Sequence, residues 1–421
     1  MRVKFQLQTC CHLGAQSLSA ITKSLAACSE KAGLRLGFSS PPGRRLSYHG
    51  GGLGEAAAKM MEIAYPALTG MRGIGCITKT APNENKIDST GTPFRVPTLL
   101  SDTVAKTCTE LCLNTCELEE LPPLIGMYYL LKVLDVSGNK LEELPPDIGT
   151  CYSLKTLNVS QNRLKMIPDE LSQLIHLEKF FAYSNQIVQV PEWLASMALT
   201  ELNMFNNKIL KIPPVFGELR LVTDMNFGAN VIMQVPQETI EHWRSVRVLN
   251  LYDCRIIKLG SLSHMMDLEE LRLFNNNLEE LPDLGTKPKL RILELNKNHI
   301  TNLPLSFFTG LKALERVTFN NNNIESIPVG INCPKLESFL IAQNALHELP
   351  PDLPLWPSLK ILFVNGNQLQ RLPETFLQNT WIQRINLARN SKCAASSKHI
   401  LQHLKKVAEK NKGFYWAPDT L

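Results

Sequence analysis

Three cysteines four residues apart, Cys108, Cys112 and Cys116, are the residues whose type and spacing first invite chemistry. Thiolates at such intervals can hold zinc, but a closed zinc site takes four ligands. The repeat register described below puts Cys108 on a core position and Cys116 at a turn, leaving only Cys112 to face outward. One ligand makes no site, so neither a metal nor a cofactor is expected. The nine histidines are scattered, with no H-E-x-x-H pair and no nucleophile placed beside a base. The cluster Gly50, Gly51, Gly52 and Gly54 follows no convincing strand and lacks the Lys-Ser/Thr of a phosphate loop, so it reads as linker. The chain is expected not to be an enzyme.

What positions these residues is a repeated sentence, clearest from Leu268 to Lys289. Leu268, Leu271 and Leu273 are followed by Asn276, Leu278 and then Leu281-Pro282, giving L-x-x-L-x-L-x-x-N-x-L-x-x-L-P. This resembles the leucine-rich-repeat pattern. Thirteen such anchors run from Cys116 to Asn390 at intervals of 22 to 24 residues, with Cys in place of Asn at Cys116 and Cys254. Leu271 and Leu273 alternate along a short strand, so both reach one face while Arg272 and Phe274 reach the other. The Asn is expected to satisfy backbone groups where the chain turns, and to ladder with its neighbours. The outer half returns along an extended or turn-like path fixed by Pro. No repeat can bury its leucines alone, so the repeats must stack. The expected fold is an α/β solenoid, a leucine-rich-repeat horseshoe with a parallel concave sheet and about thirteen repeats.

Charge divides the chain. Residues 1–98 carry a net +7, and the remainder carries −2. A near-neutral array argues against a nucleic-acid partner, which needs concentrated basic surface. The paired-cysteine modules that flank secreted repeats of this kind are missing at both ends, so the eleven cysteines read as reduced and the protein as intracellular. No run of eighteen apolar residues predicts a membrane span.

Residues 1–50 form a basic leader, with Arg2, Lys4, Lys23, Lys31, Arg35, Arg44 and Arg45 against the single acid Glu30. That is the composition of a transit peptide, and Arg44-Arg45-Leu46-Ser47 is similar to a mitochondrial processing site with cleavage near Leu46. The same leader begins Arg2-Val3-Lys4-Phe5, which resembles the docking motif by which regulatory subunits hold protein phosphatase one. In that mode Val3 and Phe5 fill apolar pockets while the strand joins a sheet edge. Cleavage near Leu46 would discard Arg2, Val3 and Phe5, so the two readings exclude one another. The compartment is mitochondrial if the leader is cleaved and cytoplasmic otherwise.

Residues 51–98 read as a flexible linker with a short helix over Glu55 to Tyr65. The array and its N-terminal cap occupy 99–390, with Leu99 to Lys106 as an apolar lid. Residues 391–421 are the C-terminal cap, with a helix from Ser397 to Lys410, an N-cap at Ser396 or Ser397, and Gly413 as its end.

Reading the strand register outward collects the candidate partner-binding residues in repeats four to eight and just beyond. The aromatics are Phe181, Tyr183, Phe205, Tyr252 and Phe274. Their charged rim is Lys179, Glu201, Asp224, Glu270, Arg272, Glu294 and Arg316. Exposed aromatics inside a charged rim have the character of an interface centre.

The segments LPPLIG and LPPDIG, with the thirteen repeats between Cys108 and Asn390, resemble the intracellular Ras-group leucine-rich-repeat proteins of the Shoc/Sur type. The resemblance implies a non-catalytic scaffold or adaptor that binds protein partners on its concave sheet. The resemblance does not choose the partner; for a signalling scaffold the candidates are a small GTPase of the Ras type or a phosphatase catalytic subunit. Gly260 departs from the pattern, standing where Pro is usual after Leu259.

Overall fold

The computed structural model describes residues 86–88, 90–91 and 105–417 of the 421 in the sequence. Among these residues, fifteen three-residue strands lie side by side in chain order as one parallel sheet. The first seven are β1 (Lys86–Asp88), β2 (Glu110–Cys112), β3 (Val133–Asp135), β4 (Thr156–Asn158), β5 (Lys179–Phe181), β6 (Glu201–Asn203) and β7 (Asp224–Asn226). The next four are β8 (Val248–Asn250), β9 (Glu270–Arg272), β10 (Ile292–Glu294) and β11 (Arg316–Thr318). The sheet closes with β12 (Ser338–Leu340), β13 (Ile361–Phe363), β14 (Arg384–Asn386) and β15 (Phe414–Trp416). Thirteen of these, β2 to β14, are the strands of the thirteen repeats. The parallel order follows from a chain that makes one circuit per repeat and returns in the same direction.

Register keeps like beside like. Leu271 of β9 pairs with Leu249 of β8 and Leu293 of β10, and all three are fully buried. Each repeat thus adds its leucines to one continuous apolar column, at roughly 1.5–3 kcal/mol for each fully buried side chain before entropy is subtracted.

The anchor Asn of each repeat works through backbone. Asn276 Nδ2 donates to the carbonyls of Leu273 at 3.0 Å and Leu251 at 2.8 Å, and its Oδ1 accepts the Ile256 N–H at 3.0 Å. The ladder therefore joins each Asn to the main chain of the preceding repeat, not to the next Asn side chain. The residue before each of the thirteen anchors sits in the left-handed region, from Thr115 at φ 57° to Arg389 at φ 56°. Only Gly138 and Gly366 among them are glycine. That turn costs the other eleven some backbone strain, and the Asn hydrogen bonds hold it.

On the outer side, most repeats run from an extended Pro into a single helical turn. Pro145, at φ −66° and ψ 137°, leads into a 3-10 turn over Pro146–Thr150. The sixth repeat forms a short α-helix, α1 (Gln237–Ile240). No helical turn follows Leu259 or Leu281. Gly260 has its own reason: a Cβ there would lie 1.6 Å from Gln237 Oε1, so glycine leaves space for that side chain.

Three expectations about the ends are corrected. β1 falls inside the stretch read as linker, and it pairs Ile87 with Leu111 of β2. It escaped the leucine template because Ile87 is its one strand residue directed at the core. The C-terminal cap is two helices, α2 (Ser391–Ser396) and α3 (Lys398–Lys410). Ser397 between them makes no capping bond; its Oγ accepts the Leu372 N–H at 2.8 Å and ties the cap to the array. Ile400, Leu404 and Val407 are buried, and Leu401 packs beside them. Gly413 does not end α3 through a left-handed turn, since Lys412 takes that conformation at φ 56°. Glycine is needed there because a Cβ would stand 1.7 Å from the Gln383 carbonyl oxygen. The closing aromatics form β15 and extend the sheet. The basic leader, the Glu55 to Tyr65 helix and all but Ala105 and Lys106 of the expected lid lie outside the described residues.

Candidate functional site

The concave face between β5 and β11 carries all twelve residues expected to meet a partner. Alternation places them there: the first and third residue of each strand, and the second residue after it, turn away from the leucine core. Their exposure differs from expectation. Phe181 is 7% and Tyr252 5% exposed, and Arg272 and Glu294 are also buried. Only Tyr183, Phe205 and Phe274 among the aromatics remain half-exposed. The reason is packing along the face, from repeat to repeat.

Tyr252 explains most of it. The neighbouring repeat has Gly228 at the equivalent position, and the Tyr252 ring lies over it, so close that a Cβ on Gly228 would be 3.0 Å from the ring. Laid over this gap, Tyr252 reaches Phe205 two repeats away at 5.7 Å between ring centres. On its other side it stacks on Phe274 at 4.5 Å, with 10° between the planes. Aromatic pairs in such geometry add about 0.5–1.5 kcal/mol beyond their buried area. Burial pushes the Tyr252 hydroxyl up to about 12, although a hydrogen bond with Asn226 pulls the other way. The hydroxyl therefore stays neutral at physiological pH. Burial raises Tyr183 in the same direction.

Beside the rings runs a chain of ions. Arg272 Nη2 meets Glu270 Oε2 at 2.6 Å, its Nη1 donates to Asn250 Oδ1 at 3.1 Å, and its Nε lies 3.4 Å from Glu294 Oε2. Glu294 Oε1 in turn lies 3.9 Å from Arg316 Nε. The Arg272 side chain is 6% exposed, so these charges sit where water screens them little. On the other flank, Lys179 Nζ bonds Glu201 Oε1 at 2.5 Å. Asp224 accepts the Thr223 hydroxyl at 2.7 Å. The arrangement is a rigid aromatic strip with a paired charged border, suited to holding an apolar anchor.

Gly228, Asn226 and Asn250 belong to this surface and were missed. Their side chains carry no apolar or charge signal, and their role appears only when repeats are set side by side.

The cysteine triplet divides as its register predicts. Cys108 and Cys116 are buried, with their Sγ atoms donating to the carbonyls of Glu110 and Asn114, and Cys112 is half-buried. Burial pushes the Cys112 thiol up to about 11, which keeps it protonated and a poor ligand. Among the described residues no group of three or more His, Cys, Asp or Glu side chains is placed to hold a metal. Within the same residues no helix is long and apolar enough to cross a membrane. Arg2, Val3 and Phe5 lie outside the described residues.

Comparison with known proteins agrees with this architecture. Leucine-rich-repeat profiles match residues 129–187, 288–333 and 198–219. Osteomodulin of Rattus norvegicus is 26% identical over 187 residues, covering 42% of this chain and 43% of its own. Leucine-rich repeat serine/threonine-protein kinase 1 of Mus musculus is 27% identical over 46% of this chain but only 9% of its own. The chain thus spans less than half the length of these curated relatives. A leucine-rich-repeat protein of Leptospira interrogans has a solved structure that superposes with a TM-score of 0.65 at 27% identity, covering 81% of this chain and 93% of that one. The functional domain of InlJ from Listeria monocytogenes shares the fold, with a TM-score of 0.58 at 18% identity over 69% of this chain and 68% of its own.

The protein is a leucine-rich-repeat solenoid, a fold that typically serves as a non-catalytic module for binding other proteins.

Proposed function

We propose that the chain is a scaffold or adaptor with no catalysis of its own, which holds a protein partner on the concave face at repeats four to eight. One observation carries the reading: Phe205, Tyr252 and Phe274 form a packed strip across the concave side, with neighbouring ring centres 5.7 and 4.5 Å apart. Interface hot spots are rich in aromatic residues and Arg, centred within a rim of weaker contacts. Here the rings are already ordered, so binding loses little side-chain freedom. The test replaces Tyr183, Phe205, Tyr252 and Phe274 together by Ala. The expected result is loss of partner co-purification from a chain that still folds, with a lowered thermal midpoint because Tyr252 is buried. Full recovery of the partner would place the site elsewhere.

A second reading rests on Arg2-Val3-Lys4-Phe5 and on the likeness to the Ras-group repeat proteins. In it the chain is a regulatory scaffold for protein phosphatase one or a small GTPase of the Ras type. The transit-like leader favours instead a mitochondrial assembly role. Sequencing the N-terminal peptide of the protein from its own cells separates them. A start near Ser47 supports import and removes the docking segment, whereas a start at Met1 or Arg2 refutes cleavage and keeps the phosphatase reading.

A further inference from the structure

Past the aromatic strip the concave face changes its chemistry. At the positions that face the concavity, seven acids occur from Asp88 to Glu294, and none from Arg316 onward among the described residues. Leu340, Ile361 and Phe363 stand in their place. Beyond them β15 presents Phe414 at 57% and Trp416 at 42% exposure. Trp416 meets Phe363 edge-on at 5.7 Å and stacks with Phe414 at 5.8 Å, while the Arg384 guanidinium lies 5.8 Å from the Phe414 ring centre. Two large aromatics left this open beside a cation are a costly surface for a chain with no use for them.

β15 is also the last strand among the described residues. Its one neighbour in the sheet is β14, so its outer backbone edge is unpaired among the described residues. An unpaired edge with alternate aromatic side chains is a template for one more strand.

Charge selects what that strand would be. Residues 384–417 hold eight Lys and Arg against the single acid Glu409, whereas 99–383 carry a net −8. Two copies of this basic end would repel each other. A flat bilayer does not reach side chains on the inner side of a curved sheet, and a nucleic acid would run into the acidic array. A polypeptide with carboxylates between apolar side chains satisfies all three features: edge, rings and charge.

We propose that the C-terminal end of the solenoid docks an extended, acidic and apolar segment of a partner protein, laid beside β15 with its apolar side chains on Phe414 and Trp416 and its carboxylates at Arg384. This surface is separate from the Tyr252 strip and stands without it.

The test measures fluorescence anisotropy of a short labelled peptide alternating Glu with Phe and Leu, titrated with the full-length protein. Controls are the same peptide with Lys for Glu, an oligothymidylate, and phosphatidylserine vesicles. The glutamate peptide is expected to bind, to weaken with added salt, and to lose affinity about tenfold or more in Arg384→Glu and in Phe414→Ser with Trp416→Ser. Tyr252→Ala is expected to bind it unchanged. Arg384 is exposed, so Arg384→Glu decides the matter if the double variant loosens the cap. The proposal fails if the lysine peptide binds as well, if oligothymidylate or vesicles are preferred, or if Arg384→Glu binds like the parent. It fails equally if a Trp416-dependent dimer forms instead, or if no binding is seen up to about 1 mM.

Discussion

The Tyr252 ring lies over Gly228, and through that one gap it joins Phe205 on one side to Phe274 on the other. The candidate binding strip exists because one repeat has no side chain where its neighbours have rings. Gly228→Ala forces the ring to lift, since the added carbon would stand 3.0 Å from it. Overpacking of this kind costs about 1–3 kcal/mol. The expected outcome is a lower chemical-denaturation midpoint together with weaker partner binding, and equilibrium unfolding followed by a binding titration checks both.

The buried ions make a sharper claim about stability. Arg272 separates Glu270 from Glu294, and Arg272→Ala leaves those two carboxylates without it. Breaking a buried charge pair from one side costs about 3–5 kcal/mol. Lys155→Ala, which breaks a surface pair with Glu178 whose two side chains are each more than two-fifths exposed, is expected to cost about 1 kcal/mol or less. Urea melts of the two variants should therefore differ widely.

Lys287 gives a pH dependence with a definite sign. It occupies a position in the apolar outer column, fully buried, its Nζ donating only to the carbonyls of Ser263 and Thr286. Burial holds its pKa down to about 8, well below the ordinary lysine value. Between about pH 8 and pH 10.5 the unfolded chain binds more protons than the folded one, so this group makes stability rise with pH across that window. Below about pH 8 both states are protonated and the full cost of the buried ammonium remains. Lys287→Met is expected to raise stability at pH 7 by about 1–3 kcal/mol and to flatten the rise. Denaturant melts of both proteins between pH 7 and 10 measure it.

The anchor positions predict opposite outcomes for two substitutions. Asn276→Ala leaves the carbonyls of Leu251 and Leu273 and the Ile256 N–H without their side-chain partner, and is expected to cost at least about 1–3 kcal/mol. At Cys254 the backbone amide of Ile232 faces only sulfur. Cys254→Asn supplies an oxygen there and is expected to stabilise by about 0.5–1.5 kcal/mol. Differential scanning calorimetry of the pair shows whether the shifts have these signs.

The repeats were legible because Leu and Asn recur at fixed spacing, and that spacing alone dictates strand, turn and stacking. The left-handed residue before each anchor was not legible, since Gln161, Ala229 or Lys297 carries no sign of positive φ. The cap strands were hidden for a related reason. β1 offers only Ile87 to the core, and β15 puts the half-buried Tyr415 where a repeat would show leucine. At the candidate site the sequence placed every residue on the right face but overstated exposure. Tyr252 looks like a free aromatic in its own repeat and becomes buried only beside Gly228, 24 residues earlier.

The central claim, that a protein partner sits on the aromatic strip, is tested most directly by site-specific photo-crosslinking in the native cell. A photoreactive phenylalanine replaces Phe274 in one variant and Tyr152, an exposed residue in the loop between the Pro146–Thr150 turn and β4, in another. The account predicts a discrete protein adduct from position 274 and none from position 152. The same adduct from position 152, with none from 274, would contradict it.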